Sequence, residues 1–157
     1  MSSETQRPSL RISRRRLLQT AAVLTVARVL PAVAQDLPVI PALASFLAGR
    51  SPRWERLKLE LPSLADNGQS VPMRITMDGP FAATSTLRAI HLFSEVNPVP
   101  EMAVFEFPSP PAKVEIDSRI RLAGAQHVVA VAVMSDGALY AAAAEVLVTI
   151  AGCLDQS

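Results

Sequence analysis

The sequence predicts an all-β domain, built as a sandwich of about seven strands with one short helix before them. Three observations predict it: from residue 57 onward the apolar segments are short, they are rich in Val and Ile, and turn residues separate them about every ten positions. Residues 57–61 and 114–122 alternate between aliphatic and charged side chains, which is typical of antiparallel strands with one buried face. Strands of this length and spacing favour an immunoglobulin-like β-sandwich.

The strand pattern recurs along residues 57–61, 71–77, 89–93, 103–107, 114–122, 127–134 and 139–150. Asn67-Gly68 predicts a tight turn after the first strand, and Ser135-Asp136-Gly137 predicts the turn of the last hairpin. The last two strands are nearly continuous Val and Ala, so we expect central strands covered on both faces. The alanines at 141–144 suit close packing against another sheet or subunit, with a helix as the alternative interpretation.

A short helix and a connector precede the first strand. Residues 42–49 place apolar side chains at helical spacing and end in Gly49, which suits a helix C-cap. The basic segment at residues 50–58 is interpreted as a solvated connector in which Trp54 is a packing anchor.

The N-terminal segment has the order of an export signal. Arg14 and Arg15 follow a Ser and precede a short apolar pair, which is the twin-arginine pattern, and the moderately apolar run at 17–30 comes next. The small residues at 32–34 provide an A-x-A site, so the mature chain is expected to begin near Gln35. The prediction is a periplasmic protein exported by the twin-arginine pathway, and the alternative for this segment is a basic disordered tail.

These patterns divide the chain into a signal peptide (1–34), a leader with a short helix and connector (35–56), a β-sandwich domain (57–150) and a C-terminal tail (151–157).

Charge argues against nucleic acid as a partner. The first 34 residues hold six of the 15 basic residues and one of the 14 acidic ones, so the rest carries nine basic against 13 acidic residues, a net charge of −4. We therefore expect no nucleic-acid binding. We expect no membrane association after cleavage either, because the apolar run is too short and interrupted for a span.

The familiar catalytic motifs are absent from the sequence. It has no Gly-rich phosphate loop, no H-E-x-x-H, no C-x-x-C and no G-x-S-x-G. His91 and His127 both fall inside predicted strands and are interpreted as packed or edge histidines. We predict no catalytic residue, no metal site and no cofactor, and hence a protein that is not an enzyme.

Cys153 is the exception among these residues, because it is the single cysteine of an exported chain and has no internal partner for a disulfide. It lies past the last predicted strand, on a chain end of the kind that is normally solvated. Three residues beyond Ile150 can extend about 10 Å, so the thiol could reach into the cleft of another protein. The alternative is an incidental tail cysteine.

The mature sequence resembles the SoxY family, the sulfur-carrier subunits of the periplasmic thiosulfate-oxidising system. The resemblance is carried by Asp66-Asn67-Gly68 with Val71-Pro72, Ile90-His91-Leu92-Phe93 with Asn97-Pro98 and Pro100, Ser118-Arg119-Ile120-Arg121-Leu122-Ala123, Val129-Ala130-Val131-Ala132 with Met134-Ser135-Asp136-Gly137, and Glu145-Val146 with Val148-Thr149-Ile150. The family also has a twin-arginine signal and ends soon after a cysteine.

The resemblance implies an immunoglobulin-like sandwich that forms a heterodimer with a second sandwich protein, SoxZ, exported together with it. It also implies that Cys153 is the covalent attachment site for sulfur, that a haem enzyme links thiosulfate to it, and that hydrolase and sulfur-dehydrogenase enzymes of the Sox system then process the tethered group. The carrier itself is then a substrate and not a catalyst.

The tail departs from the family pattern, which is Gly-Gly-Cys-Gly-Gly. In this chain the residues of the carrier arm around Cys153 are Ala151, Gly152, Leu154 and Asp155. Gly152 and Cys153 therefore match the family pattern, and the other three residues differ from it. Residues with a Cβ restrict the backbone, and side chains widen an arm that must enter narrow active sites. The leading interpretation is a sulfur carrier; the alternative is a paralogue whose arm has degenerated and which is a structural or binding subunit of a Sox-like complex.

Overall fold

The computed structural model describes residues 38–79, 81 and 84–149, which form two β-sheets and one short helix. The elements are α1 (Pro41–Leu47), β1 (Leu57–Glu60), β2 (Leu64–Ala65), β3 (Val71–Met77), β4 (Leu87–Ser94), β5 (Glu101–Glu106), β6 (Val114–Ile120), β7 (Gln126–Met134) and β8 (Leu139–Val148). The predicted all-β sandwich with a short N-terminal helix is confirmed.

One sheet has three strands in the order β1-β3-β6, and the other has five in the order β2-β8-β7-β4-β5. Neighbouring strands run antiparallel except for β2 and β8, which are parallel. The C-terminal end of β8 therefore lies at the same end of the sandwich as the start of β7, the end of β4 and the start of β5. We call this the tail end, because residue 149 follows β8 there.

Strand β3 shows why the alternating segments fold as they do. Val71, Met73, Ile75 and Met77 are buried, and the residues between them face outward. Pro72 is tolerated because β1 ends opposite Arg74, which leaves β6 as the strand beside the proline.

The core lies between the two sheets. It consists of inward-facing aliphatic side chains from both, among them Leu57, Val71, Ile75, Leu87, Ile90, Leu92, Val114, Val128, Ala130, Ala132 and Val146. Burial of apolar side chains is the main contribution to folding, at about 25 cal/mol per Å² removed from water.

A second apolar cluster covers the outer face of the five-stranded sheet. Helix α1 packs there through Leu43 and Leu47 against Phe93, Val129 and their neighbours. Residues 141–144 are part of β8, so the helical alternative for them is wrong. Ala141 faces this cluster and is buried, and its small side chain leaves room for the helix.

Two local features differ from the sequence prediction. The left-handed turn that ends α1 is at Ala48, with φ of 48°, and Gly49 follows with φ of 80°. The tight turn expected at Asn67-Gly68 is part of a longer crossing: the chain leaves β1, forms β2 in the other sheet and returns to β3. Asn67 accepts a hydrogen bond from the Gln69 backbone N–H at 2.8 Å, as in an Asx-turn.

Across residues 38–79, 81 and 84–149, no helix has the length and apolar character needed to cross a membrane.

Candidate functional site

The predicted carrier tail, residues 151–157, follows shortly after the end of β8, and the chain is fixed to the sheet just before it. The Leu147 backbone N–H donates to the Ser63 carbonyl at 2.9 Å, and the Thr149 N–H donates to the Ala65 carbonyl at 3.1 Å. The Thr149 hydroxyl donates to the same Ala65 oxygen at 3.2 Å. Ser63 and strand β2 thus form a short clamp that holds the root of the tail.

The residues predicted to carry sulfur lie outside the described residues, as do the predicted export arginines. They are Cys153 with Ala151, Gly152, Leu154 and Asp155, and Arg14 with Arg15. Cys153 is four residues beyond Thr149, so its Cα reaches at most about 13 Å from that anchor at ~3.3 Å per residue.

An exposed apolar pair flanks the root of the tail. Leu64 on β2 is in register with Leu147 on β8, and their side chains share the outward face. They are 58% and 54% exposed, whereas the next residues along, Ala65 and Val148, pack toward the core.

A histidine–carboxylate pair lies at the same end of the sheet. Glu95 Oε2 accepts a hydrogen bond from His127 Nδ1 at 2.8 Å and another from the His127 backbone N–H at 3.1 Å. These two bonds, the side-chain one first, hold the pKa of Glu95 below its ordinary value. The pair ties the end of β4 to the start of β7.

A polar network fixes the β4–β5 loop at this end. Asn97 Oδ1 accepts from the Ala123 backbone N–H and from Gln126 Nε2, each at 2.9 Å, and Asn97 Nδ2 donates to the Arg121 carbonyl at 2.8 Å. Gln126, which is buried, also accepts from the Val96 N–H at 2.9 Å. Buried polar groups that are fully paired are rigid, so the loop is held in one position.

The sequence profile of the family described as "Sulfur oxidation protein SoxY" matches residues 43–153. This match covers more than two thirds of the chain and ends on Cys153. The chain belongs to the SoxY family. Family membership assigns it a role in the Sox sulfur-oxidation system. Among curated proteins, no sequence matches the chain.

The fold of this SoxY-family chain is also similar to solved structures of another kind. The superoxide reductase (neelaredoxin) from Ignicoccus hospitalis is 20% identical with a TM-score of 0.51, over 60% of this chain and 80% of that one. The superoxide reductase from Nanoarchaeum equitans is 13% identical with a TM-score of 0.50, over 61% of this chain and all of that one. At this identity the likeness shows the shared sandwich fold alone.

Each of the two histidines of the SoxY domain pairs with one glutamate side chain. His91 packs against Phe46 of α1, with ring centroids 4.4 Å apart, and its Nδ1 lies 2.7 Å from Glu101 Oε1. His127 is more exposed and pairs with Glu95. Within the described ranges, no group of three His, Cys, Asp or Glu side chains is placed to hold a metal ion.

Sequence reasoning missed both histidine–glutamate pairs and the Asn97–Gln126 network. The partners lie ten residues apart in the His91–Glu101 pair and about thirty apart in the other two, and strand register sets which residues meet. The signal for the network was the polar Gln126 at the start of a long, mostly apolar strand, since a buried amide needs a partner.

Proposed function

We propose that this chain is a periplasmic covalent sulfur carrier that holds a thiosulfate-derived group on Cys153 and presents it to Sox enzymes. The observation that carries the proposal is the extent of the family match, which runs through the whole sandwich and ends on that cysteine. The clamp at Thr149 supports it, because a short arm needs a fixed root to present its end at a defined place.

The proposed loading step is an oxidative coupling. The Cys153 thiolate and thiosulfate form a sulfur–sulfur bond, RS⁻ + S₂O₃²⁻ giving RS–S–SO₃⁻, and the two electrons released pass to the haem enzyme of the system. A hydrolase then adds water, releasing sulfate and two protons and leaving RS–S⁻ on the carrier. The chain supplies the nucleophilic sulfur and is itself the substrate in both steps.

Two further parts of the proposal follow from the family. The chain pairs with a SoxZ-like subunit. Co-expression followed by sizing under reducing conditions tests this pairing, and a monomer that does not bind SoxZ would refute it.

Export uses Arg14 and Arg15, so replacing both with Lys is expected to leave precursor in the cytoplasm. Mature protein starting near Gln35 in the periplasm of that variant would refute the export route.

Intact mass of the protein purified from cells grown on thiosulfate tests the carrier function. The wild type is expected to show sulfur-containing additions, and Cys153→Ser to show none while keeping the same thermal stability. Wild-type protein of unmodified mass under these conditions would favour the alternative, a structural subunit with a degenerate arm.

A further inference from the structure

Exposed apolar side chains concentrate at the tail end of the sandwich. The described residues expose six large apolar side chains, and four of them, Leu64, Leu147, Val96 and Val99, lie on β2, at the end of β8 or in the β4–β5 loop. Leu64 and Leu147 form one exposed apolar pair on neighbouring strands, whereas Val96 and Val99 lie beyond β7, at the other side of the tail end. Surface leucines scattered singly need no explanation, but an exposed pair beside the root of the tail is a candidate contact site.

The length of the tail decides what can cover this surface. Cys153 reaches at most about 13 Å from Thr149, and part of that length is used to carry the sulfur into an active-site cleft. The body of an enzyme that acts on Cys153 must therefore come into contact with the surface around Thr149. Leu147 is two residues from this anchor, and Leu64 is its neighbour across the strand pair.

Acidic side chains flank the apolar ones. Asp66 follows β2, and Glu95 and Glu145 lie in one row across the sheet on either side of His127. All three carboxylates belong to exposed residues. An enzyme that binds the thiosulfate dianion needs cationic groups at its active-site entrance, and these would face the carboxylates.

We propose that this surface, Leu64 and Leu147 with Asp66 and Glu145 beside them and Glu95 beyond His127 in the same row, is the docking site for the enzyme that loads Cys153. We call it the arm-root surface. The inference rests on the proposed carrier function and adds the place where the enzyme makes contact. It also describes the partner's surface, which is expected to have an apolar patch surrounded by cationic groups. The contact is small because a carrier must leave each enzyme in turn, so a few apolar side chains dominate its free energy.

Loading kinetics test the proposal, with the purified haem enzyme, thiosulfate and the full-length carrier in complex with SoxZ. The double variant Leu64→Ser/Leu147→Ser is expected to lose about tenfold in kcat/KM, mainly through KM, because interface apolar groups are worth roughly this factor. The control is Val104→Ser, which removes an apolar side chain of similar exposure in the middle of β5. Its loading is expected to match the wild type.

Charge provides a second variant that does not depend on apolar packing. Glu145→Lys is expected to lower kcat/KM at low ionic strength and to approach the wild type at high salt, because exposed charges more than about 10 Å apart are screened at 0.1 M. In all variants, the rate of Cys153 with a small thiol reagent is expected to stay unchanged, since that reaction needs no docking.

The outcomes separate the inference from the proposed function. A wild type that is loaded normally, with the double variant and Glu145→Lys loaded equally well, would overturn the arm-root surface alone. Loss of SoxZ binding in the double variant would overturn it too, by showing that the surface is the subunit interface. A wild type that accepts no sulfur would overturn the carrier function itself.

Discussion

Thr149 donates two hydrogen bonds to one atom, the carbonyl oxygen of Ala65: the backbone N–H at 3.1 Å and the hydroxyl at 3.2 Å. Ala65 belongs to a strand of two residues whose register places it beside Val148. This contact is the last one along the described chain before the tail, and it sets where the tail leaves the sandwich.

Thr149→Val is expected to loosen this root while keeping the shape of the side chain. Loss of the hydroxyl bond should lower the free energy of unfolding by about 0.5–1 kcal/mol, because the group is exposed and water replaces the bond. The amide at position 149 should exchange faster with solvent. Urea unfolding and hydrogen exchange measure both, and Thr149→Ser, which keeps the hydroxyl, is the matched control. If Ser and Val variants behaved alike, the hydroxyl would have no part in the clamp.

The His127–Glu95 pair predicts a pH-dependent contribution to stability. The folded-state pKa of Glu95 lies below its ordinary 4.5, chiefly through the side-chain bond from His127. A lowered carboxyl pKa gives stability that is fully present above pH 4.5 and is lost as pH falls through the folded value. Glu95→Gln is therefore expected to be less stable than wild type at pH 6, with a small difference because the pair is partly exposed.

Urea unfolding from pH 6 to pH 3 for the wild type and Glu95→Gln measures this contribution. The difference between the two proteins should shrink as the pH falls. A constant difference over that range would mean that titration of Glu95 adds nothing to folding.

The small side chain of Ala141 lets α1 pack closely on the sheet. Its side chain is buried beneath the cluster that includes Leu43 and Leu47, so Ala141→Leu would overfill the contact and cost about 1–3 kcal/mol. Glu145→Leu places the same side chain on the same face of β8 where it is exposed, and should change stability by less than about 0.5 kcal/mol. Thermal unfolding compares the two. If the two variants were equally stable, helix α1 would shift to accept the larger side chain at position 141 with no loss of stability.

Much of the fold could be predicted because strand patterning is local. The alternation in residues 71–77 and 114–120 and the turn at 135–137 each depend on neighbouring residues, and β3, β6 and the last hairpin follow from them. Strand β2 could not be predicted, since two residues are too few to show a period and it forms by pairing with β8, more than 80 positions away.

The candidate site also has one part that the sequence predicts and one part that depends on the fold. The tail cysteine stands out by position in the sequence, whereas the surface around its root depends on register. Leu64 and Leu147 look like ordinary strand residues, and their alignment emerges once β2 and β8 are paired. The carboxylates near them come from three separate segments of the chain.

The arm around Cys153 differs from the family pattern at positions that can be changed to glycine. Replacing Leu154 and Asp155 with Gly moves the tail toward the family pattern, removes one negative charge beside Cys153 and gives the backbone more conformations. If the side chains hinder entry into the active-site channel, this variant is loaded faster than wild type by the haem enzyme of a standard Sox system. The comparison is made at equal carrier concentration, with Cys153→Ser as the unloaded reference. Because the change lies beyond the Thr149 clamp, the free energy of unfolding should stay the same. Equal loading of the two proteins would mean that the natural tail is already a competent arm, and slower loading would mean that Leu154 or Asp155 makes a contact that the enzyme uses.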